Sequence, residues 1–380
     1  MFRVSDARNV KGALTITSNH IQVEDVCGWN MKDALKHACL VKNMYIPRRI
    51  LNQDTSSLNL VFQIACREGY DDLIDYTVAQ GAKQWDAGMH CACLGGNLPL
   101  VEDMMRRGAT DWNWGLYGAC YGGHPSLVDL MLRLGADNRD WGLDAACRGG
   151  HWPIIEEMIW QGAADFDRGL FGACQGGHQH IAEDMIERGA TDWNEGLAGA
   201  CLGGHRDLVE MMIERGAMLN LGLFRACEGG HRDLIKYMIE RGVTNWDNGL
   251  MGACHGGHRD RVEMMIECGA IEFKRGLHRA CLGNHRTIIN LMIERGATWN
   301  NGLFGACQGG HYSLAVDMIK CGADGWNHGL MYACIGGYPA LANLMIEHGA
   351  DNWNLGLYYA RFYKHPILVK LMIERGATSA

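Results

Sequence analysis

The sequence predicts an all-α protein, a helix–turn–helix solenoid, and three recurrences along the chain carry that prediction. Cys39, Cys66, Cys93, Cys120, Cys147, Cys174 and Cys201 stand 27 residues apart, and Cys227, Cys254, Cys281, Cys307 and Cys334 follow at steps of 26 or 27, with Arg361 in the next slot. Methionine holds a second slot of the same period, from Met104 through Met131, Met158 and Met185 to Met372. Five of the six prolines, Pro99, Pro125, Pro153, Pro339 and Pro366, share one two-residue window of the period. A fixed period of this length marks a stacked repeat, and it overrides the two or three globular domains that 380 residues would otherwise suggest.

Residues 112–138 show the elements of one repeat. Asn113 precedes an apolar run and is expected to be an N-cap, accepting from a free helical N–H. Asp86, Asp140, Asp167, Asn194, Asn220, Asp247, Asn300, Asn327 and Asn354 fill the equivalent slot, and Lys274 is the exception. Leu116, Ala119 and Cys120 then fall at i, i+3 and i+4, one face of a short first helix. Gly122-Gly123 stops that helix, because glycine tolerates the left-handed backbone of a C-terminus. The proline window follows His124, where the first turn of a second helix has no N–H bond to lose. Leu127, Val128, Met131 and Leu132 give that second helix its buried stripe, and Gly135-Ala136 ends it. About five residues then lead to the next Gly-Leu, too few for a projecting hairpin of real strands.

Composition narrows the function classes. With 48% hydrophobic and 21% charged residues the chain can bury a continuous core, and its formal net charge of -8 argues against nucleic acid as a partner. No stretch approaches the roughly 18 apolar residues of a membrane helix, and the first residues lack the apolar core of a secretory signal. Of sixteen cysteines, twelve share one slot. Stacked helices pack about 8–10 Å apart, beyond the roughly 7 Å a disulfide tolerates between Cα atoms. Free, buried thiols fit a reducing compartment, so a cytoplasmic protein is expected, with the nucleus left open.

The recurring Cys-x-x-x-His, as in Cys120/His124 and Cys147/His151, raises zinc and thiol catalysis. A structural zinc needs four converging ligands, whereas here the cysteine faces the packed layer and the histidine lies beyond two glycines. The histidine is expected to bond the backbone of a neighbouring loop. Many equivalent pairs leave no privileged nucleophile. The expectation is therefore no metal, no cofactor and no enzymatic activity. The loop aromatics, Trp85, Trp112, Trp193 and their equivalents, are expected to pack between repeats.

These residues resemble ankyrin repeats. Leu197-Ala198-Gly199-Ala200-Cys201-Leu202-Gly203-Gly204-His205 matches the Leu, first Ala, Gly and His of the family pattern, with Cys201 in place of the second Ala, and Ile213-Glu214-Arg215-Gly216-Ala217 matches its second-helix ending. The resemblance covers roughly residues 31–378. The family's Thr-Pro is absent, with Glu195-Gly196 in its place, and the repeat is about six residues shorter than the usual length of about 33. The resemblance thus implies an ankyrin-like solenoid lacking long β-hairpin fingers, about thirteen repeats over residues 31–380. Residues 1–30 lie outside the period and are expected to form an N-terminal cap or arm. Pro47 is expected to disturb the second helix of the first repeat, and Arg361 with Tyr363-Lys364 looks like a C-terminal cap. The short period is similar to ankyrin-type proteins of large DNA viruses of amoebae. That narrower likeness implies a host factor as partner, in the host cytoplasm, with a virus particle as the alternative setting.

In ankyrin-like stacks the first, inner helices line a concave groove, which makes the least constrained positions of those helices the candidate partner-binding surface. They lie six and three residues before each cysteine and one after it. The candidates are Trp114, Tyr117, Tyr121, Trp141, Asp144, Arg148, Arg168, Phe171, Gln175, Phe224, Met251, Phe304, Met331 and Tyr358. Aromatic and arginine anchors dominate interface energetics, and Trp114, Tyr117, Tyr121, Trp141 and Arg148 cluster in sequence. The leading expectation is a monomeric, non-enzymatic protein-interaction scaffold; the rival is a structural protein that assembles end to end or within a particle.

Overall fold

A computed structural model of the chain describes residues 31–53 and 57–378; the expected cap or arm over residues 1–30 lies outside the described residues. Among the described residues there are twenty-six helices and no strand, in thirteen consecutive pairs. The odd-numbered first helices run from α1 (Met31–Leu40) to α25 (Trp353–Phe362), and the even-numbered second helices from α2 (Tyr45–Gln53) to α26 (Pro366–Glu374). Within the N-terminal unit the successive first helices over residues 31–149 pack on one another, as do those over residues 193–362 in the C-terminal unit, and each of these packs on its own second helix. This is an all-α repeat solenoid. The chain divides into two compact units, one ending at Gly169 and the other starting at Leu170.

In the N-terminal unit, α7 (Trp112–Gly122) and α8 (Pro125–Arg133) show why the sequence folds this way. Asp111 is the N-cap of α7, its carboxylate accepting from Trp114 N at 3.0 Å. Asn113, expected as the cap, instead sits one residue inside the helix and bonds across to the next repeat. Its Oδ1 accepts from the backbone N–H groups of Asp137 and Asn138, both at 2.9 Å. Asp86 and Asp140 do the same for residues 110–111 and 164–165. The correction has a simple cause: both positions carry an Asx residue, and the true cap lies two residues nearer the N-terminus.

Leu116, Ala119 and Cys120 are fully buried, as are Met131 and, within 2%, Leu127 and Val128. Small side chains let the first helices approach closely: a Cβ on Gly118 would overlap the carbonyl oxygen of His90 on α5 (Trp85–Leu94). Gly123, at φ +77°, turns the chain out of α7. Pro125 and Pro153 then stand in the first turn of their helices. Pro47 also falls within the first turn of α2, so this helix forms where the sequence led us to expect a disturbance.

The histidine after the glycines ties neighbouring repeats together. His124 Nε2 donates to Leu94 O at 3.2 Å and His151 Nε2 to Tyr121 O at 3.1 Å. The repeats that begin with α7 and α9 (Arg139–Gly149) therefore reach forward with an Asx side chain and backward with an imidazole.

The C-terminal unit repeats the plan. His231, His258, His285 and His311 bond Leu202, Glu228, His255 and Leu282 carbonyls at 2.8, 3.0, 2.9 and 2.9 Å. Asp247 holds the N–H groups of Ile271 and Glu272 at 2.7 and 2.9 Å, and Asn327 holds those of Asp351 and Asn352 at 2.9 Å. Both 26-residue steps fall in this unit, and in each the missing residue is the Asx cap. α15 (Leu219–Gly229) starts behind Met218 and α21 (Trp299–Gly309) behind Thr298, neither of which caps through its side chain. In the last repeat Arg361 is exposed where the equivalent cysteines are buried, and Phe362 and Ile367 are 65% and 69% exposed.

Candidate binding surface

In the N-terminal unit the candidate residues form one connected cluster across α7, α9 (Arg139–Gly149) and the start of α11 (Phe166–Gly176). Trp114 stacks on His90 with ring centroids 5.0 Å apart and planes at 19°, and His90 Nδ1 donates to Trp114 O at 2.9 Å. Burial holds the His90 pKa below its ordinary value, which keeps the ring neutral near pH 7. Tyr117 lies 5.4 Å from Trp141 at a tilt of 56°. Arg148 donates to the Tyr117 hydroxyl at 3.3 Å and rests 5.0 Å from the centroid of Tyr121. All four aromatic side chains are half-buried, partly covered by these contacts and partly open to solvent.

Asp144 lies below this surface. It is only 6% exposed, one oxygen lies 3.7 Å from Arg168 Nε, and the other, Oδ1, is buried with no hydrogen-bond partner. Burial pushes its pKa from 3.8 up to about 6, against the pull of Arg168 and Arg148. Sequence reasoning placed Asp144 among the contact residues. The structure makes it a buried group that acts on the surface through the arginines beside it.

The C-terminal unit distributes its candidates among separate clusters. Phe171, Gln175, Met251 and Met331 are half-buried on their first helices. Phe224 on α15 stacks on His255 of α17 (Trp246–Gly256) at 6.5 Å, and the guanidinium groups of Arg225 and Arg279 lie 5.6 and 5.8 Å from its centroid. Glu228 accepts from Arg225 at 2.8 Å and from His255 Nδ1 at 2.7 Å. Burial pushes the Glu228 carboxyl up, but these hydrogen bonds outweigh it and hold the pKa below the ordinary value. Phe304 stacks on Tyr332 at 5.7 Å and leans on His328 at 5.4 Å. Tyr358, 60% exposed, packs on Tyr359 and Phe362.

Sequence reasoning missed His90, Arg225, Arg279 and Tyr332. His90 occupies the same register as Tyr117, one repeat earlier. The other three stand two residues before the cysteine, where Gly118, Gly199, Gly252 and Gly305 recur. A large residue in a slot that glycine holds in five repeats was the available signal. Arg279 reaches Phe224 over Gly252, and Tyr332 reaches His278 over Gly305, with ring centroids 5.0 Å apart.

The cysteine ladder offers no surface chemistry. Burial pushes the Cys174, Cys201, Cys227 and Cys307 thiols up to about 12, leaving them protonated and unreactive near neutral pH. The loop aromatics are half-buried; Trp85 meets Phe62 of the preceding repeat edge-on at 6.0 Å, and Arg107 lies over its ring. Among the described residues no group of three His, Cys, Asp or Glu side chains is placed to hold a metal ion, and no helix is long and apolar enough to cross a membrane. Compared with known proteins, the chain matches no family model and no curated protein.

Proposed function

We propose that this chain is a non-enzymatic protein-interaction scaffold whose first-helix face holds a protein partner. The observation that carries the reading is the N-terminal cluster, in which Trp114, Tyr117, Tyr121 and Trp141 are half-buried and held by stacking, tilted-ring and guanidinium contacts. Rigid aromatic side chains flanked by arginine lose little freedom on binding and dominate interface energetics. The likeness to short ankyrin-type repeats supports the same face, and the likeness to amoebal-virus proteins would make the partner a host protein.

The test compares affinity capture by the native chain with capture by a Trp114→Ala, Tyr117→Ala, Tyr121→Ala variant of unchanged circular dichroism. A specific partner should be lost, since truncating each such anchor costs about 2 kcal/mol, roughly 30-fold in affinity. Retention of every partner by the folded variant would overturn the reading. The rival assembly reading is favoured by one observation, the exposed Tyr358, Phe362, Ile367 and Ile373 of the last repeat. Sedimentation over a concentration series separates the two, because a scaffold should stay monomeric.

A further inference from the structure

The C-terminal unit carries a local excess of cationic groups in a protein whose formal net charge is -8. α19 (Phe273–Leu282) contains Lys274, Arg275 and Arg279 and no acidic residue. Arg275 is exposed and Arg279 half-buried, and among the described residues neither makes an ion pair within 4.0 Å. The acidic side chains of the two preceding first helices are already engaged. Glu228 is gripped by Arg225 and His255, and Asp247 holds the backbone N–H groups of Ile271 and Glu272.

The geometry of Arg225 and Arg279 adds direction to this charge. Both stand in a slot that glycine fills in five other repeats, and both guanidinium groups lie against the one ring of Phe224. Gly252, on the helix between, leaves the space over which Arg279 reaches that ring. Packing against an aromatic ring restricts the guanidinium, which leaves its fork of N–H donors less to lose on binding. Glu228 shows that this face takes a carboxylate: Arg225 and His255 hold it at 2.8 and 2.7 Å. Arg275 and Arg279, both on α19 two repeats beyond Arg225, supply the same donor chemistry with no carboxylate to receive it.

We infer that the first-helix face from α15 to α19 docks an acidic peptide segment, a partner's Asp or Glu side chains being taken by Arg279, which lies against the Phe224 ring, and by Arg275 one turn before it on α19. The inference rests on the protein-interaction reading and specifies the chemistry of the partner. A carboxylate peptide is favoured over nucleic acid because the cationic patch is short. A single-stranded nucleic acid needs a basic groove that tracks its backbone and successive stacking platforms, whereas here the one ring amid the arginines is already flanked by guanidinium groups.

The test is fluorescence anisotropy of a labelled deca-glutamate peptide titrated with the full chain, beside deca-lysine and a ten-nucleotide single strand of DNA. Saturable binding of the glutamate peptide is expected, weakened by added salt, with no binding of the lysine peptide. Arg275→Gln, at an exposed position that leaves the fold undisturbed, should weaken binding about tenfold, and the Arg275→Gln, Arg279→Gln pair about a hundredfold, each charge-assisted hydrogen bond contributing at that scale. Absence of glutamate binding, indifference of both arginine variants, or tighter binding of the DNA would each overturn the inference. Those results leave the aromatic-face reading to its own capture experiment, so the two fail separately.

Discussion

Replacing Gly204 by alanine should destabilise the C-terminal unit through a single named contact. Gly204 has φ +80°, and a Cβ there would overlap the imidazole of His231, whose Nε2 donates to Leu202 O at 2.8 Å. Gly242 supplies the control: its φ is +84°, and a Cβ there meets nothing within 4 Å. Alanine at either site carries the left-handed backbone cost of about 1–2 kcal/mol. At Gly204 the methyl must also displace the ring, losing a hydrogen bond with a net contribution of about 1 kcal/mol and leaving a carbonyl without its partner. Gly204→Ala should therefore cost about 1–2 kcal/mol more than Gly242→Ala. Urea unfolding followed by circular dichroism reads the difference as a shift in midpoint at constant slope. In a His231→Ala background the excess should vanish, since the cycle isolates the pairwise contact. Equal destabilisation by the two single variants, or an excess that survives His231→Ala, would refute the steric account.

Two further outcomes follow from burial. The raised pKa of Asp144 means the unfolded chain gives up that proton first, so stability should fall as pH rises from about 4 to about 6, and the full penalty should stand at pH 7. Two pKa units correspond to roughly 3 kcal/mol, so Asp144→Asn should lose this slope and gain up to that amount relative to the parent between about pH 4 and pH 7. Parallel pH dependence of the two proteins in denaturant titrations would rule it out. Among the described cysteines, thiol alkylation read by mass spectrometry should label exposed Cys321 first and the half-buried Cys91 and Cys268 more slowly. Ladder cysteines such as Cys120 and Cys201 should react only on unfolding, and their rapid labelling in the native protein would contradict the burial of the seam.

The architecture was legible because every repeat states it again. The cysteine and methionine periods placed both buried faces, and the proline window placed the second helix. The N-cap was misplaced by two residues because Asp111 and Asn113 are both Asx residues with short polar reach. Only the positions of the neighbouring N–H groups decide that Asp111 caps its own helix while Asn113 bonds the next repeat. The candidate surface was legible where its residues are consecutive in register, as in Trp114, Tyr117 and Tyr121. It was not legible at Asp144, because the same register is half-buried in Tyr117 and Phe224 and fully covered only where Arg148 and Arg168 flank it. Nor was the reach of Arg279 over Gly252 readable, since that contact spans two repeats.

The forward-reaching Asx side chain and the backward-reaching histidine have a consequence for how such a chain can change length. Each bond joins positions about one period apart, so the repeats that hold both side chains present the same acceptor to the successor and the same imidazole to the predecessor. A recombination between misaligned copies in the gene that removes or inserts one whole period among such repeats leaves each donor facing an acceptor of the same kind. Losing part of a period does not: the two 26-residue steps each lack the Asx cap of the helix that follows, and Met218 N alone remains on Asn194, at 2.9 Å. Change in whole periods among these repeats thus keeps the bonds in register, while both one-residue losses in this chain fall on a cap.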